Sequence, residues 1–279
     1  MDSVYFAHRV SFHNFKLPWH FENAYQILIV LKGHIIYTVQ DNDYEVNERG
    51  IIVLNTMENH SLKVIDYPYD RILLRLEPSR FFEEIKEPDL MGIFIRRTKE
   101  FRHLISVSDV EWNKIKDASY ALEYEYEHKD EFSELMIWSE IRKIFVHLHR
   151  GSSIKNDTST SGMLTVVSSA MNYMNKHFKE DIALDDLANV VMKSKGHLSH
   201  IFTKTTGVSI KQYLINLRIN YAKFLLSESE KNISEIAEEC GYNDVNFFSR
   251  QFLANTKMCP SNFRKMIQSQ DFKNKGNNE

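Results

Sequence analysis

Arg250 carries a fork of donors that matches O6 and N7 of guanine, Asn246 can both give and accept a hydrogen bond with adenine, and Val245 offers a methyl to thymine. Together with Ser249 they lie in Val245-Asn246-Phe247-Phe248-Ser249-Arg250-Gln251-Phe252, where Phe248 and Phe252, four residues apart, would face a core and turn the others outward. A second set lies about 50 residues earlier. With Leu198, Ile201 and Phe202 inward, Gly196, Ser199, His200 and Thr203 make one outward stripe at i, i+3, i+4 and i+7, small and polar enough for a partner to approach closely. Lys193, Lys195 and Lys204 flank it, and with Thr203 they suit phosphate oxygens, which position a protein without reading sequence. Such a set of side chains would suit the base edges and phosphates of a duplex.

Both sets need the same support, and the sequence repeats it. Leu187-Ala188 matches Ile236-Ala237, Leu198-Ser199-His200-Ile201-Phe202 matches Phe248-Ser249-Arg250-Gln251-Phe252, and Val208-Ser209-Ile210 falls on Met258-Cys259-Pro260. Each copy reads as a short helix, a tight turn and a second helix, the helix-turn-helix layout. Ser194 can cap the helix that begins at Lys195 and Gly207 can close it; Gly241 makes the turn of the second copy, with Asn243 or Asp244 as cap. Between the copies, Ser209 can start a helix carrying Ile210, Tyr213, Leu214, Leu217, Ala222, Leu225 and Leu226. About 20 residues of helix span about 30 Å, close to the ~34 Å between successive major-groove faces.

Six β-branched or aromatic runs precede this part: 26–31, 35–39, 44–46, 51–54, 61–65 and 71–76. Lys32-Gly33, Asp41-Asn42-Asp43 and Asn47-Glu48-Arg49-Gly50 separate them at the close spacing of an antiparallel barrel or sandwich. From Asp109 to Arg150 the period becomes helical, with apolar residues at Trp112, Ile115, Ala118, Tyr120 and Leu122, then Phe132, Leu135, Met136, Ile141, Ile144, Phe145 and Leu148. The expected class is α+β multidomain: a β half at 1–110, two amphipathic helices at 111–150, a Gly/Ser/Thr linker at 151–162, an all-α part at 163–270 with two helix-turn-helix units joined by a long helix, and a polar tail at 271–279.

Composition agrees. A chain of 279 residues, 43% hydrophobic and 26% charged with nine Gly and five Pro, has the make-up of two folded domains and excludes a collagen-like or disordered one. The net charge of -3 hides an asymmetry: residues 163–279 hold 15 Lys+Arg against 12 Asp+Glu, a net of +3, which leaves -6 for the rest. Cys240 and Cys259 are too few for a disulfide framework or a four-thiolate zinc site. No apolar run approaches the ~18 residues of a membrane span, and the first residues lack a secretory pattern, so the expected location is the cytoplasm, with no membrane partner.

The run Ile233-Ser234-Glu235-Ile236-Ala237-Glu238-Glu239-Cys240-Gly241-Tyr242-Asn243-Asp244-Val245-Asn246-Phe247-Phe248-Ser249-Arg250-Gln251-Phe252, closing with Pro260 and Phe263-Arg264, resembles the signature of the AraC/XylS family of bacterial transcription regulators over about 100 residues. The resemblance implies base contacts at Gly196, Ser199, His200, Val245, Asn246, Ser249 and Arg250. Departures are Lys257 where the family has Gly, Ile210 where it has Pro, and Leu253-Ala254 where it has basic residues. The N-terminal stretches Pro18-Trp19-His20-Phe21-Glu22, Tyr25 to Gly33, Gly50 to Leu54 and Asn59-His60 resemble the cupin-like sensory barrel of many members.

Enzymatic cupins hold a metal through several His and a carboxylate. Here His20 and His60 occupy matching places, but Glu22 and Gln26 stand where a second His and the carboxylate would, a poor ligand set, so no metal, cofactor or catalysis is expected. Trp19, His20, Gln26, Tyr37 and His60 are candidates to line a barrel pocket whose stacking and neutral hydrogen-bonding groups suit a sugar or other polar metabolite. The helices at 111–150 resemble the family's dimerisation helices, with Leu135, Ile141, Ile144 and Leu148 as contacts. The implied partners are double-stranded DNA, a second copy of the chain, a small-molecule effector and, for an activator, RNA polymerase. A regulator controlled by abundance or a protein partner, and a metal-dependent cupin enzyme with an appended DNA-binding unit, are the alternatives.

Overall fold

Chain order begins with β1 (Val4–Ser11), β2 (Lys16–His20), β3 (Tyr25–Val39), β4 (Asn42–Val46), β5 (Ile51–Leu54) and β6 (His60–Leu76). The computed structural model describes residues 3–13, 15–20, 22–56, 58–98, 101–152 and 158–275. With β7 (Leu104–Ile105), the strands form one antiparallel sheet in the order β1-β6-β3-β5-β7, with β2 on β6 and β4 on β3.

Two expected strand breaks are absent. Lys32-Gly33 lies within β3 as a bend, where the register with β6 shifts between Val30 and Ile35. Gly33 has φ +102°, and a Cβ there would come within 2.8 Å of the Pro68 carbonyl oxygen, so only glycine permits this corner. Similarly, 61–65 and 71–76 are one strand, β6. Each long strand therefore serves both ends of a barrel-like fold: the first half of β3 pairs with β5, its second half with β4, and the two halves of β6 with β2 and β1.

The pleat assigns the faces. Cross-strand sets Val4–Leu76–Tyr25, Phe6–Leu74–Ile27 and His8–Ile72–Ile29 share one face; Tyr5–Arg75–Gln26, Ala7–Leu73–Leu28 and Arg9–Arg71–Val30 share the other. The first face is closed by helices: Tyr25 packs on Phe81 and Phe94 with ring centres 4.3 and 5.3 Å apart, and Phe94 on Phe145 at 5.2 Å. These come from α1 (Pro78–Glu84), α2 (Pro88–Ile95) and α4 (Ser133–Gly151), with α3 (Asp109–Glu127) packed along α4. The first two are helices that hydrophobic periodicity does not show, and proline at their first position sets them.

Beside the sheet, Glu58 is fully buried. Arg97 donates to it from Nε at 2.5 Å and Nη2 at 3.0 Å, His103 donates from Nε2 at 3.0 Å, and the Asn55 amide at 2.7 Å. Burial opposes its ionisation, yet the Arg97 charge and these hydrogen bonds hold its pKa at about 2.

The helices of 111–150 correct one expectation. Ile141, Ile144 and Leu148 are buried within their own domain, because the apolar stripe of α4 faces the helices that close the sheet; Leu135, 65% exposed, is the member of that set left on the surface.

The chain divides into two compact units, 1–168 with 204–207, and 169–203 with 208–279. The division falls inside α5 (Thr158–His177) and not in 151–162, of which 153–157 lie outside the described residues. Then follow α6 (Leu184–Val190), α7 (Lys195–Thr206), α8 (Ile210–Glu228), α9 (Ile233–Glu239), α10 (Val245–Thr256) and α11 (Pro260–Lys275). The last helix runs into the stretch expected as a polar tail, and 276–279 are outside the described residues.

Candidate nucleic-acid interface and barrel cavity

The repeat of the sequence is repeated bond for bond in the backbone. At the end of α6 the amides of Val191, Met192 and Lys193 donate to the carbonyls of Leu187, Asn189 and Ala188; at the end of α9 those of Cys240, Gly241 and Tyr242 donate to Ile236, Glu238 and Ala237. Both turns pass through a left-handed residue, Met192 at φ 53° and Gly241 at φ 81°.

The helices that follow are capped as their sequences specify. Ser194 Oγ accepts from the His197 amide at 3.3 Å, and Asp244 Oδ1 from the amides of Asn246 and Phe247 at 2.6 and 3.0 Å. α8 starts on Ser209, whose hydroxyl accepts from the Gln212 amide, and its 19 residues make a rod of about 28 Å. Phe202 meets Tyr213 of α8 edge-on at 5.5 Å, while Phe248 packs tilted against Phe252 at 5.8 Å and Phe252 meets Phe263 edge-on at 5.4 Å.

With Leu198, Ile201, Phe202, Phe248 and Phe252 buried, the opposite faces of α7 and α10 are open. Gly196, His200, Thr203, Lys204, Asn246 and Arg250 are exposed, and Ser199, Val245 and Ser249 half-buried. A Cβ on Gly196 would meet no atom within 4 Å. Lys193 is exposed; Lys195 is exposed but paired with Asp185 at 3.0 Å, so a phosphate would compete with that carboxylate. Lys257, where glycine would be expected, keeps the left-handed cap of α10 at φ 60°.

The second face of the sheet encloses a cavity of about 280 Å³. His20, Gln26, Tyr37 and His60 line it; Trp19 does not. Trp19 is 55% exposed, because β2 shifts register between Leu17 and His20 and turns it outward. His20 and His60 sit edge to face with ring centres 4.1 Å apart, and His60 stacks on Tyr37 at 5.6 Å. Burial and the neighbouring His20 push the His60 pKa down to about 3, so the ring is neutral; Nδ1 donates to the Glu58 carbonyl at 3.0 Å and Nε2 is left as an acceptor. Among the described residues no group of three or more His, Cys, Asp and Glu is placed to hold a metal ion.

Sequence reasoning missed the cationic half of this lining: Arg9, Arg71 and Arg75, with Tyr5 and Tyr69. The signal is the alternation Tyr69, Arg71, Leu73, Arg75, which in a strand puts all four on one face.

A model described as an AraC-like ligand binding domain matches residues 4–106, and one described as a helix-turn-helix domain matches 187–266, together more than half of the chain. The chain belongs to the AraC/XylS family of transcription regulators. It has a ligand-binding domain of the family and a helix-turn-helix DNA-binding domain. Among its relatives, the HTH-type transcriptional activator RhaR of Escherichia coli O139:H28 (strain E24377A / ETEC) is 24% identical over 267 residues, 90% of this chain and 88% of that one. The uncharacterized HTH-type transcriptional regulator YijO of Escherichia coli (strain K12) is 29% identical over 120 residues, 43% of this chain and 41% of its own length. ToxT from Vibrio cholerae superposes over 95% of this chain and 99% of its own with a TM-score of 0.53 at 16% identity, a likeness of fold. No helix among the described residues is long and apolar enough to cross a membrane.

Proposed function

We propose that this regulator recognises specific promoter DNA through Gly196, Ser199 and His200 of α7 and Val245, Asn246, Ser249 and Arg250 of α10, with Lys193, Lys195, Thr203 and Lys204 on the phosphates. The observation that carries the reading is the doubled helix-turn-helix: two capped helices, each with a buried apolar side and an open face opposite it. The barrel cavity is its effector site, and occupancy of the cavity controls promoter binding or activation. Its lining supports this, and ToxT, of the same fold, has been solved with an unsaturated fatty acid bound. Relatives named as activators support a role in activation, which makes RNA polymerase a partner.

Two copies act together, through faces where Tyr120 and Tyr124 of α3 and Leu135 of α4 are exposed. Paired copies gain affinity for repeated half-sites through effective concentration.

Selection of bound duplexes from a random-sequence library by the purified full chain tests the reading. The expected product is a conserved element protected in footprinting and bound at least about 10³-fold more tightly than random DNA. A library that stays random after repeated rounds, at low and physiological salt, would overturn it.

A further inference from the structure

The cations of the cavity are not equivalent: Arg9 is exposed to solvent and its Nη2 donates to the Tyr5 hydroxyl at 3.4 Å. Arg75 is answered by Glu22 at 3.2 Å. Arg71 has no carboxylate within ion-pair distance among the described residues; the adjacent Asp70 lies on the other face of the pleat, bonded to His8 at 2.9 Å. Yet Arg71 is firmly held. Its Nη1 donates to Ser11 Oγ at 2.7 Å and to the carbonyls of Arg9 and Tyr69 at 3.2 and 3.3 Å, and its guanidinium lies over the rings of Tyr69 and Phe15 at 4.6 and 5.2 Å.

All of these bonds leave from one nitrogen. The Nε–Nη2 edge, which matches the two oxygens of a carboxylate, has no hydrogen-bond partner among the described residues. Four residues along β6, a backbone separation of about 13 Å, the lining continues with Gln26 and Arg75, and the buried Gln26 Nε2 and Arg75 Nε have no hydrogen-bond partner among the described residues. An unpaired buried donor is costly, and an acceptor on a ligand in the cavity would relieve it. Leucines and tyrosines line the rest, and about 280 Å³ falls just below the roughly 300–1,000 Å³ of drug-sized ligand sites, which calls for a small ligand.

We infer that the cavity takes a small organic acid whose carboxylate is gripped by the free edge of Arg71 and whose apolar body carries a hydroxyl or carbonyl oxygen to Gln26 and Arg75. This rests on the reading of the cavity as the effector site and replaces the expected neutral sugar, which leaves the Arg71 charge unanswered. Arg71 sets specificity for charge, and Gln26 for the far end.

The test is calorimetric titration of the full chain with hexanoate, phenylacetate and 4-hydroxyphenylacetate, each beside its primary amide, which keeps the shape and removes the charge. At least one acid is expected to bind about 10- to 100-fold more tightly than its amide, with 4-hydroxyphenylacetate preferred to phenylacetate. Arg71→Gln should abolish the acid-over-amide preference, and Arg71→Lys, which keeps the charge without the fork, should retain part of it. Circular dichroism and a thermal melt confirm that each variant is folded. Amides binding as well as acids, or a preference that survives Arg71→Gln, would overturn the inference while leaving the effector site standing. Absence of heat from every acid and amide at millimolar concentration overturns the inference too. If in that case Ala7→Phe, which fills the cavity, leaves promoter binding and activation unchanged, the effector reading falls with it.

Discussion

Met192 and Gly241 hold the same position in the two helix-turn-helix units, each left-handed, but only Gly241 is pressed against another backbone. A Cβ on Gly241 would lie 2.5 Å from the Lys179 carbonyl oxygen, whereas Met192 is 89% exposed. Gly241→Ala therefore combines a left-handed alanine, about 1–2 kcal/mol, with a backbone clash, and should cost more than about 2 kcal/mol. Met192→Gly should raise stability by up to about 1 kcal/mol, since no packing is lost. Denaturant titration of the full chain, following the transition of the helical unit, measures both.

Lys257 is a left-handed residue that its own sequence position disfavours. Its amide donates to the Leu253 carbonyl at 2.8 Å and so closes α10, at φ 60°. Lys257→Gly should add about 1 kcal/mol to stability without changing DNA specificity, because among the described residues its exposed side chain bonds only the Ala254 carbonyl. A melting temperature unchanged or lowered would count against the strain argument.

The DNA-reading half was legible in residues because its signals are local. A cap and an apolar pair at i, i+4, Leu198 with Phe202 and Phe248 with Phe252, each act within one helical turn, and they occur twice at fixed spacing; the left-handed turn was readable only at Gly241, since Met192 gives no such signal. The N-terminal half was legible as β, but its corners were not. Gly33 serves as a bend only because the Pro68 carbonyl stands opposite it, a long-range fact that a local reading takes as a turn. The same limit explains Trp19, turned out by a register shift in β2, and Ile141, Ile144 and Leu148, whose apolar stripe looks the same whether it faces a second copy or its own domain. Arg71 and Arg75 were readable from their alternation along one strand; that Glu22 pairs with Arg75 was not.

The buried stripe changes the experiment that tests self-association. Ile144→Glu places a carboxylate in the core of its own domain and should unfold it, as a buried unpaired charge costs several kcal/mol. Leu135→Glu and Tyr124→Glu alter exposed positions, should leave the melting curve within about 0.5 kcal/mol of the parent, and should shift a dimer to monomer in sedimentation. A full chain that sediments as a monomer at tens of micromolar before any substitution ends the dimer proposal.

Glu58 predicts an acid limb of stability. Its folded pKa of about 2 lies below its ordinary value of 4.5, so its contribution is complete above about pH 4.5 and disappears as pH falls toward 2. Glu58→Gln removes the charge and leaves Arg97 without its buried partner, which should cost about 3–5 kcal/mol at neutral pH. The variant should also lose most of the slope between pH 4.5 and 2. Unfolding free energies across that range decide it: parallel pH profiles for the two proteins would show that Glu58 does not carry the limb.

Arg250 and Lys204 are assigned different tasks on the open faces of α10 and α7, and the assignment has a sharp consequence. A bidentate arginine–guanine pair separates the right base from the wrong one by about 1–3 kcal/mol, while a lysine on a phosphate helps every sequence alike and adds to the salt dependence. Arg250→Ala should weaken the selected element about 5- to 150-fold, leave random DNA nearly unchanged and relax the preference at one base pair. Lys204→Ala should weaken both duplexes similarly and lower the salt slope by about one ion. The competing arrangement has Arg250 on the backbone, an alternative its geometry keeps open: the guanidinium carbon lies 6.0 Å from the Phe247 ring centre, beside the α10 N-terminus that Asp244 caps. Titrations of both variants on the two duplexes at two salt concentrations separate these. A parallel loss on both duplexes for Arg250→Ala would move base recognition to Ser199 and His200 of α7 and leave α10 as the half that holds the phosphates.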